Sequence, residues 1–263
     1  MTPQHDGVPR YFDRVDEGFV PTGLARSPWT TTAIAGGPVS ALLASIVDES
    51  GLLEYYNIAR FSVDILGTVP HMYLEGRMVP VRQGRQMQLQ RAELLANGRV
   101  VAQAHVLLVR DMETPALPAA HSYPDPATLA EGPFLIGATM AGAIRTKPVQ
   151  GAVREPGRGV VWLAMDGEII GGTTPSNFVK SALFSDFGNG VGSGTDAREW
   201  SYANLDITLQ FLRMPVGEWF LIDAHTLSAG NGHATAMNVF ADADSVYAHG
   251  MQTVFVNPGG RAI

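Results

Sequence analysis

One pattern occurs twice along these 263 residues: a helical apolar stripe followed by a run of strands broken by turn residues. That repeat limits the fold more than any other feature. In the first copy Val39, Leu42, Leu43, Ile46 and Val47 fall at the i, i+3, i+4, i+7, i+8 spacing of one helix face. The spacing predicts a buried helix that starts just after Gly36-Gly37-Pro38, is capped by Thr30, Thr31 or Thr32, and ends near Gly51. Extended segments follow at 58–69, 72–82, 86–96 and 100–109. Gly84 and Asn97-Gly98 mark turns between them, and Asn-Gly is the strongest short hairpin signal.

In the second copy, residues 143–150 and 160–164 read as strands. Thr174-Pro175-Ser176 offers a cap and a first-turn proline for a second helix. Strands follow at 204–212, 218–228, 233–241 and 245–256. The copies superpose at an offset of 145 (Pro70 on Pro215) and of 144 (Ala104-His105 on Ala248-His249). An internal duplication is the economical explanation. Residues 111–134 hold five prolines and little periodicity, as a connection would. The expected organisation is an N-terminal unit at 1–115, a proline-rich connection at 116–142 and a C-terminal unit at 143–263. Each unit is α+β: a long apolar helix wrapped by the concave face of a curved antiparallel sheet.

A duplicated scaffold makes differences in polarity between its copies informative. In VKSALFSDFGNG (179–190), Val179, Ala182, Leu183 and Phe187 share a stripe with the carboxylate of Asp186. Laying Val39 on Val179 puts Asp186 on Ile46. The strand offsets put Asn204 on Ala59 and Gln252 on Leu108. Laying Pro38 on Pro175 instead sets Asp186 against Glu49, and that contrast vanishes. A buried polar group costs roughly 1–3 kcal/mol unless it is hydrogen-bonded. A carboxylate and two amides brought together satisfy one another and a water, which is a plausible hydrolytic arrangement. The competing reading is a solvated helix end, with Asn204 as a strand-entry residue and Gln252 as a strand-edge partner.

Composition removes several function classes. Eighteen Lys+Arg against 25 Asp+Glu give a net charge of −7, so nucleic-acid binding has no global electrostatic support. With no cysteine there is no disulfide, thiolate metal site or cysteine nucleophile. No His/Asp/Glu cluster has metal-ligand spacing. GNGVGSG at 188–194 lacks the Lys-Ser/Thr of a phosphate loop. Ser185 sits in FSDFG, which is not a Gly-x-Ser-x-Gly elbow. The charged stretch MTPQHDGVPRYFDRVDEG has no signal-peptide core, and no apolar run spans a bilayer, so a cytoplasmic protein is expected.

Several stretches carry a resemblance: GGPVSALLAS, FSVDILGTVP, VRQGRQMQLQRAELLANGRVVAQAHVLLVR, FSDFGNG, ANLDITLQFLRMPVGEWFLIDAHTLSAGNGHATAMNVF and AHGMQTVFV. Together the chain resembles the thioesterase-like superfamily of double hotdog proteins, related to bacterial acyl-CoA thioesterase II. The resemblance covers most of the chain apart from the connection and termini. It implies hydrolysis of an acyl-CoA thioester by a water held by an Asp, a Thr and a Gln. Asp186 matches the Asp of the family's Ser-Asp-Phe motif, and Gln252 the Gln of its last strand. Asn204 stands where the family has Thr, and both types can donate to and accept from a water. The resemblance also implies no metal or redox cofactor, a thioester partner, and further association as a homo-oligomer through sheet edges. A non-hydrolytic acyl-ligand binder on the same fold is the alternative. A hydratase is disfavoured because its Asp–His motif is missing. An oxyanion donor is expected near Gly36-Gly37. Residues 77–110 hold Arg77, Arg82, Arg85, Arg91, Arg99 and Arg110 against the single acid Glu93. They read equally as a patch for coenzyme A phosphates or as solvated outer strand faces.

Overall fold

A computed structural model describes residues 7–259 apart from 118, 136, 153 and 154, so the first six residues of the charged N-terminal stretch lie outside it. Its first unit opens with a hairpin, β1 (Arg10–Val15) and β2 (Gly18–Pro21), which the charged sequence does not announce. Helix α1 (Gly36–Asp48) follows, then β3 (Tyr56–Ile65), β4 (Leu74–Gln83), β5 (Met87–Ala96) and β6 (Arg99–Arg110). The second unit runs β7 (Ile144–Gln150), β8 (Gly159–Met165), β9 (Glu168–Ile170) and α2 (Asn177–Phe184). A single 3-10 turn, Ser185–Phe187, leads into the short α3 (Gly188–Val191). Strands β10 (Trp200–Asn204), β11 (Asp206–Phe211), β12 (Phe220–Leu227), β13 (His233–Ala241) and β14 (Val246–Pro258) complete it.

Among the described residues, fourteen strands form one continuous sheet. In the first unit the order outward from the middle is β3-β6-β5-β4-β2-β1; in the second it is β11-β14-β13-β12-β8-β7. The two orders are the same, element for element. The halves join where β3 pairs antiparallel with β11, from Asp206 opposite Asp64 to Gln210 opposite Arg60. The facing carboxylates are kept apart in partner: Asp64 accepts from Gln103, and Asp206 accepts from the backbone and hydroxyl of Thr253. The symmetry is broken at β9, which pairs parallel with β1.

Helix α1 is apolar around its circumference, with Ala41, Leu42, Leu43, Ala44 and Val47 fully buried. Such a helix is stable only with cover on all sides. The sheet wraps it, and α2 packs beside it. No threonine caps α1. Its cap is Ala35, which makes no side-chain hydrogen bond. The second helix begins two residues later than the proline suggests: Ser176 is its cap, accepting from Val179 N–H at 3.3 Å. Pro175 precedes the cap, where its missing N–H costs nothing.

The proline-rich connection is anchored to the outer face of the second unit. Tyr123 donates to Asp223 at 2.7 Å, and Trp162 Nε1 donates to the Pro124 carbonyl at 3.1 Å. Ala119, Tyr123 and Leu129 pack over Val160, Trp162 and Leu221. This cover explains why β8, GVVWLAM, is buried along its whole length and shows no alternation. The arginines of 77–110 sit on β4, β5, β6 and their turns. Arg77 and Arg91 pair with the buried Glu93.

Candidate active site

The site forms where the start of α1 meets the far end of the α2–α3 segment. Asp186 lies in the 3-10 turn between α2 and α3. The glycine that follows lets this turn approach the sheet, since a Cβ on Gly188 would collide with the Asn238 side chain on β13. Across the helix pair, a Cβ on Gly36 would collide with the Asp186 carboxylate. The two glycines are therefore required by close approach, not by turn geometry.

The Asp186 carboxylate accepts from the Gly37 N–H and, at 2.6 Å, from Asn204 Nδ2. The first of these is an amide of the first turn of α1, where the helix dipole favours an anion. Burial pushes the carboxyl up, the bonds from Asn204 and Gly37 pull it back, and the balance leaves it at about 6. The side chain is part-buried and lines a cavity, and this partial exposure limits how far burial can raise it.

Asn204 is almost fully buried at the end of β10. A kink after it is clamped to β14, with Leu205 N–H donating to the Thr253 carbonyl and Asp206 accepting from Thr253 N–H. That clamp aims the Asn204 amide back at the helix turn, where Nδ2 also reaches the Asp186 carbonyl at 3.0 Å. Its Oδ1 accepts from Asn189 Nδ2 at 2.8 Å.

Gln252 is inward-facing on β14 and fully buried. Its Nε2 donates to the Ser185 carbonyl at 2.7 Å and its Oε1 accepts from Asn189 N–H at 2.8 Å. The structure thus brings Asp186 and Asn204 into direct contact and sets Gln252 behind them, with its amide engaged on the backbone of the turn. Asp186, Asn189 and Asn204 face the cavity; Gln252 is not among its lining residues.

The cavity is about 380 Å³, within the range of small-molecule sites. Its walls are largely apolar, with Ile34 and Val39 on the α1 side, Ile65 and Val69 on the β3 side, and Leu135 and Met140 from the end of the connection. Trp29 and Tyr202 also line it, in an edge-to-face contact at 5.2 Å. None of the arginines of 77–110 lines it.

The opposite junction, where the end of α1 meets the start of α2, is a hollow of about 20 Å³ lined by Ser45, Asp48, Thr174 and Val179 among others. There Asp48 bonds Ser176. By contact Asp48, not Ile46, is the counterpart of Asp186. Ile46 instead packs on Gly76 of β4. The stripe overlay misassigned the counterpart because α2 breaks into a 3-10 turn while α1 runs on unbroken for 13 residues.

Sequence reasoning missed Asn189 and the wall supplied by the connection; it expected an oxyanion donor near Gly36-Gly37, whereas the Gly37 N–H is taken by Asp186. The Gly-Asn-Gly at 188–190 was the available signal for the first.

The chain belongs to the acyl-CoA thioesterase family: residues 25–109 match the family's N-terminal domain and residues 118–256 its C-terminal domain. It is a double hotdog protein and a hydrolase of the class that cleaves acyl thioesters. Three solved structures show the fold. A conserved protein with a hot dog fold from Alicyclobacillus acidocaldarius is 15% identical, with a TM-score of 0.73 over 94% of this chain and 95% of that one. The tesB protein of Mycobacterium avium subs paratuberculosis is 16% identical, at 0.69 over 94% and 96%. Acyl-CoA thioesterase II TesB2 from Mycobacterium marinum is 16% identical, at 0.66 over 86% and 90%. No curated protein matches the chain in sequence. No helix among the described residues is long and apolar enough to cross a membrane.

Proposed function

We propose that the chain hydrolyses an acyl-CoA thioester with a water activated by Asp186. The acyl group occupies the apolar cavity, and the thioester carbonyl lies beside Asp186 and Gly36. Asp186 takes a proton from the water as the water oxygen bonds to the carbonyl carbon. The carbon–sulfur bond then breaks, and the departing sulfur takes the proton from Asp186. The products are a carboxylic acid and coenzyme A, and the carboxylate is restored. Asn204 orients Asp186 and the water. Gln252 holds the turn that carries Asp186. The backbone at Gly36, which lines the cavity, is the candidate donor to the developing oxyanion.

One observation carries this reading: a carboxylate facing an apolar cavity, anchored by an amide and a helix-start N–H, with its pKa at about 6. A base poised near neutrality is what proton removal from water requires. Thiol release measured over acyl-CoAs of increasing chain length tests it. Asp186→Asn should lose on the order of 10²–10⁴-fold in kcat, the usual worth of a general base. Full activity in a folded Asp186→Asn protein would remove Asp186 from the chemistry. Further association of copies through sheet edges belongs to the same reading. Strand β7 supplies one such edge, and light scattering checks it.

A further inference from the structure

The Asn204 side chain has one oxygen and one NH2, and only one way round suits the site. An ionised carboxylate accepts hydrogen bonds and donates none. Asn204 must therefore turn Nδ2 toward Asp186, as it does at 2.6 Å. Turned the other way, its oxygen would face the carboxylate oxygen at the same distance. Nδ2 is held in place by two acceptors, the Asp186 carboxylate and, at 3.0 Å, the Asp186 carbonyl. The far end of the amide, Oδ1, then needs a donor of its own, a need that a threonine hydroxyl at this position would not have.

Asn189 Nδ2 is that donor. It donates at 2.8 Å to Asn204 Oδ1, the far end of the same amide. Asn189 is itself fixed by its backbone, whose N–H donates to Gln252 Oε1, while Gln252 Nε2 holds the Ser185 carbonyl one residue before Asp186. The chain of bonds runs from β14 through the turn to the Asn204 amide and returns to the carboxylate. Asn189 also lines the cavity, so its side chain can be changed without disturbing the buried backbone contact to Gln252.

We infer that Asn189 is a positioning residue for the hydrolysis: it satisfies the buried far end of the Asn204 amide and so holds Nδ2 on Asp186. This rests on Asp186 as the base. Without Asn189 Nδ2, the buried Asn204 Oδ1 loses its donor, the amide shifts to satisfy it, the carboxylate loses part of its stabilisation, and its protonated form gains.

The experiment compares wild type, Asn189→Ala, Asn204→Thr, the double variant and Asp186→Asn, each confirmed folded by circular dichroism. Two quantities are read: kcat/KM for thiol release against pH, and the titration of the Asp186 carboxyl by ¹³C NMR. Asn189→Ala should move both the acid limb and the NMR titration upward by about half to one pH unit and lower kcat/KM at pH 7 by up to about 2-fold. In the Asn204→Thr background the same change should shift neither by more than about 0.2 pH unit. An unmoved limb and titration in Asn189→Ala, or equal shifts in both backgrounds, would overturn the inference while leaving Asp186 as base. Full activity in Asp186→Asn would overturn the hydrolytic reading and the role of Asn189 in it, whatever the NMR titration shows.

Discussion

Replacing Asp186 by asparagine should change stability in a way that depends on pH. In the unfolded chain this carboxyl titrates at 3.8; in the folded protein burial holds it at about 6. Between those values the folded state binds the proton that the unfolded state has released. Stability therefore falls as pH rises from 4 to 6 and stays lower above that range. At 1.36 kcal/mol per pH unit, the full effect is about 3 kcal/mol. This is an upper value, because Asp186 is only part-buried. Asp186→Asn cannot titrate. The difference in unfolding free energy, variant minus wild type, should rise by about 1–3 kcal/mol between pH 4 and pH 7.5. Other carboxylates drop out of this difference because both proteins have them. Asp223 is one: burial works to raise it, but Arg158 and Tyr123 outweigh that and hold it below the usual range. Urea unfolding at four or five pH values supplies the numbers by linear extrapolation. A difference that stays flat, or falls with pH, would refute the claim that Asp186 is strained toward its neutral form.

Three further substitutions test the surrounding geometry. Gly36→Ala drives a methyl into the Asp186 carboxylate; kcat should drop at least about 10-fold with helix content unchanged by circular dichroism. Gln252→Leu strips the Ser185 carbonyl and Asn189 N–H of their buried partner; it should cost about 2 kcal/mol in urea unfolding and lower kcat more than it raises KM. Tyr123→Phe removes one donor to Asp223 at the strap over the outer face; about 1 kcal/mol of stability should go, with thiol release unchanged.

The periodic parts of the fold were legible in the sequence. Strands β3 to β6 and β12 to β14 begin and end within a few residues of where alternation and the Asn97-Gly98 turn put them. The same holds for α1, whose stripe is unbroken. The β1–β2 hairpin was not legible, because Arg10, Asp13, Arg14 and Asp16 interrupt its apolar residues, although Tyr11 and Phe12 are fully buried. The connection read as a loose linker because packing against an outer sheet face leaves no period. Only contact shows that Tyr123, Leu135 and Met140 have structural partners. Within the site, Asp186, Asn204 and Gln252 were visible as polar residues at core positions. The division between them was not. Whether an inward amide reaches the cavity or the helix backbone depends on a single side-chain length, and Gln252 ends on the turn. Asn189 was marked only by its flanking glycines, which in sequence make a helix continuation look like a loop; the close approach of Gly188 to the sheet shows only in the structure.

The central claim is that water, not the Asp186 carboxylate, attacks the thioester. A single turnover in ¹⁸O-labelled water, with protein in excess over acyl-CoA, tests this directly by mass spectrometry of both product and protein. Direct attack by water predicts one ¹⁸O atom in the released acid and none in the protein. Unlabelled acid together with ¹⁸O in the peptide containing Asp186 would mean that the carboxylate had bonded to the acyl carbon, and would contradict the account.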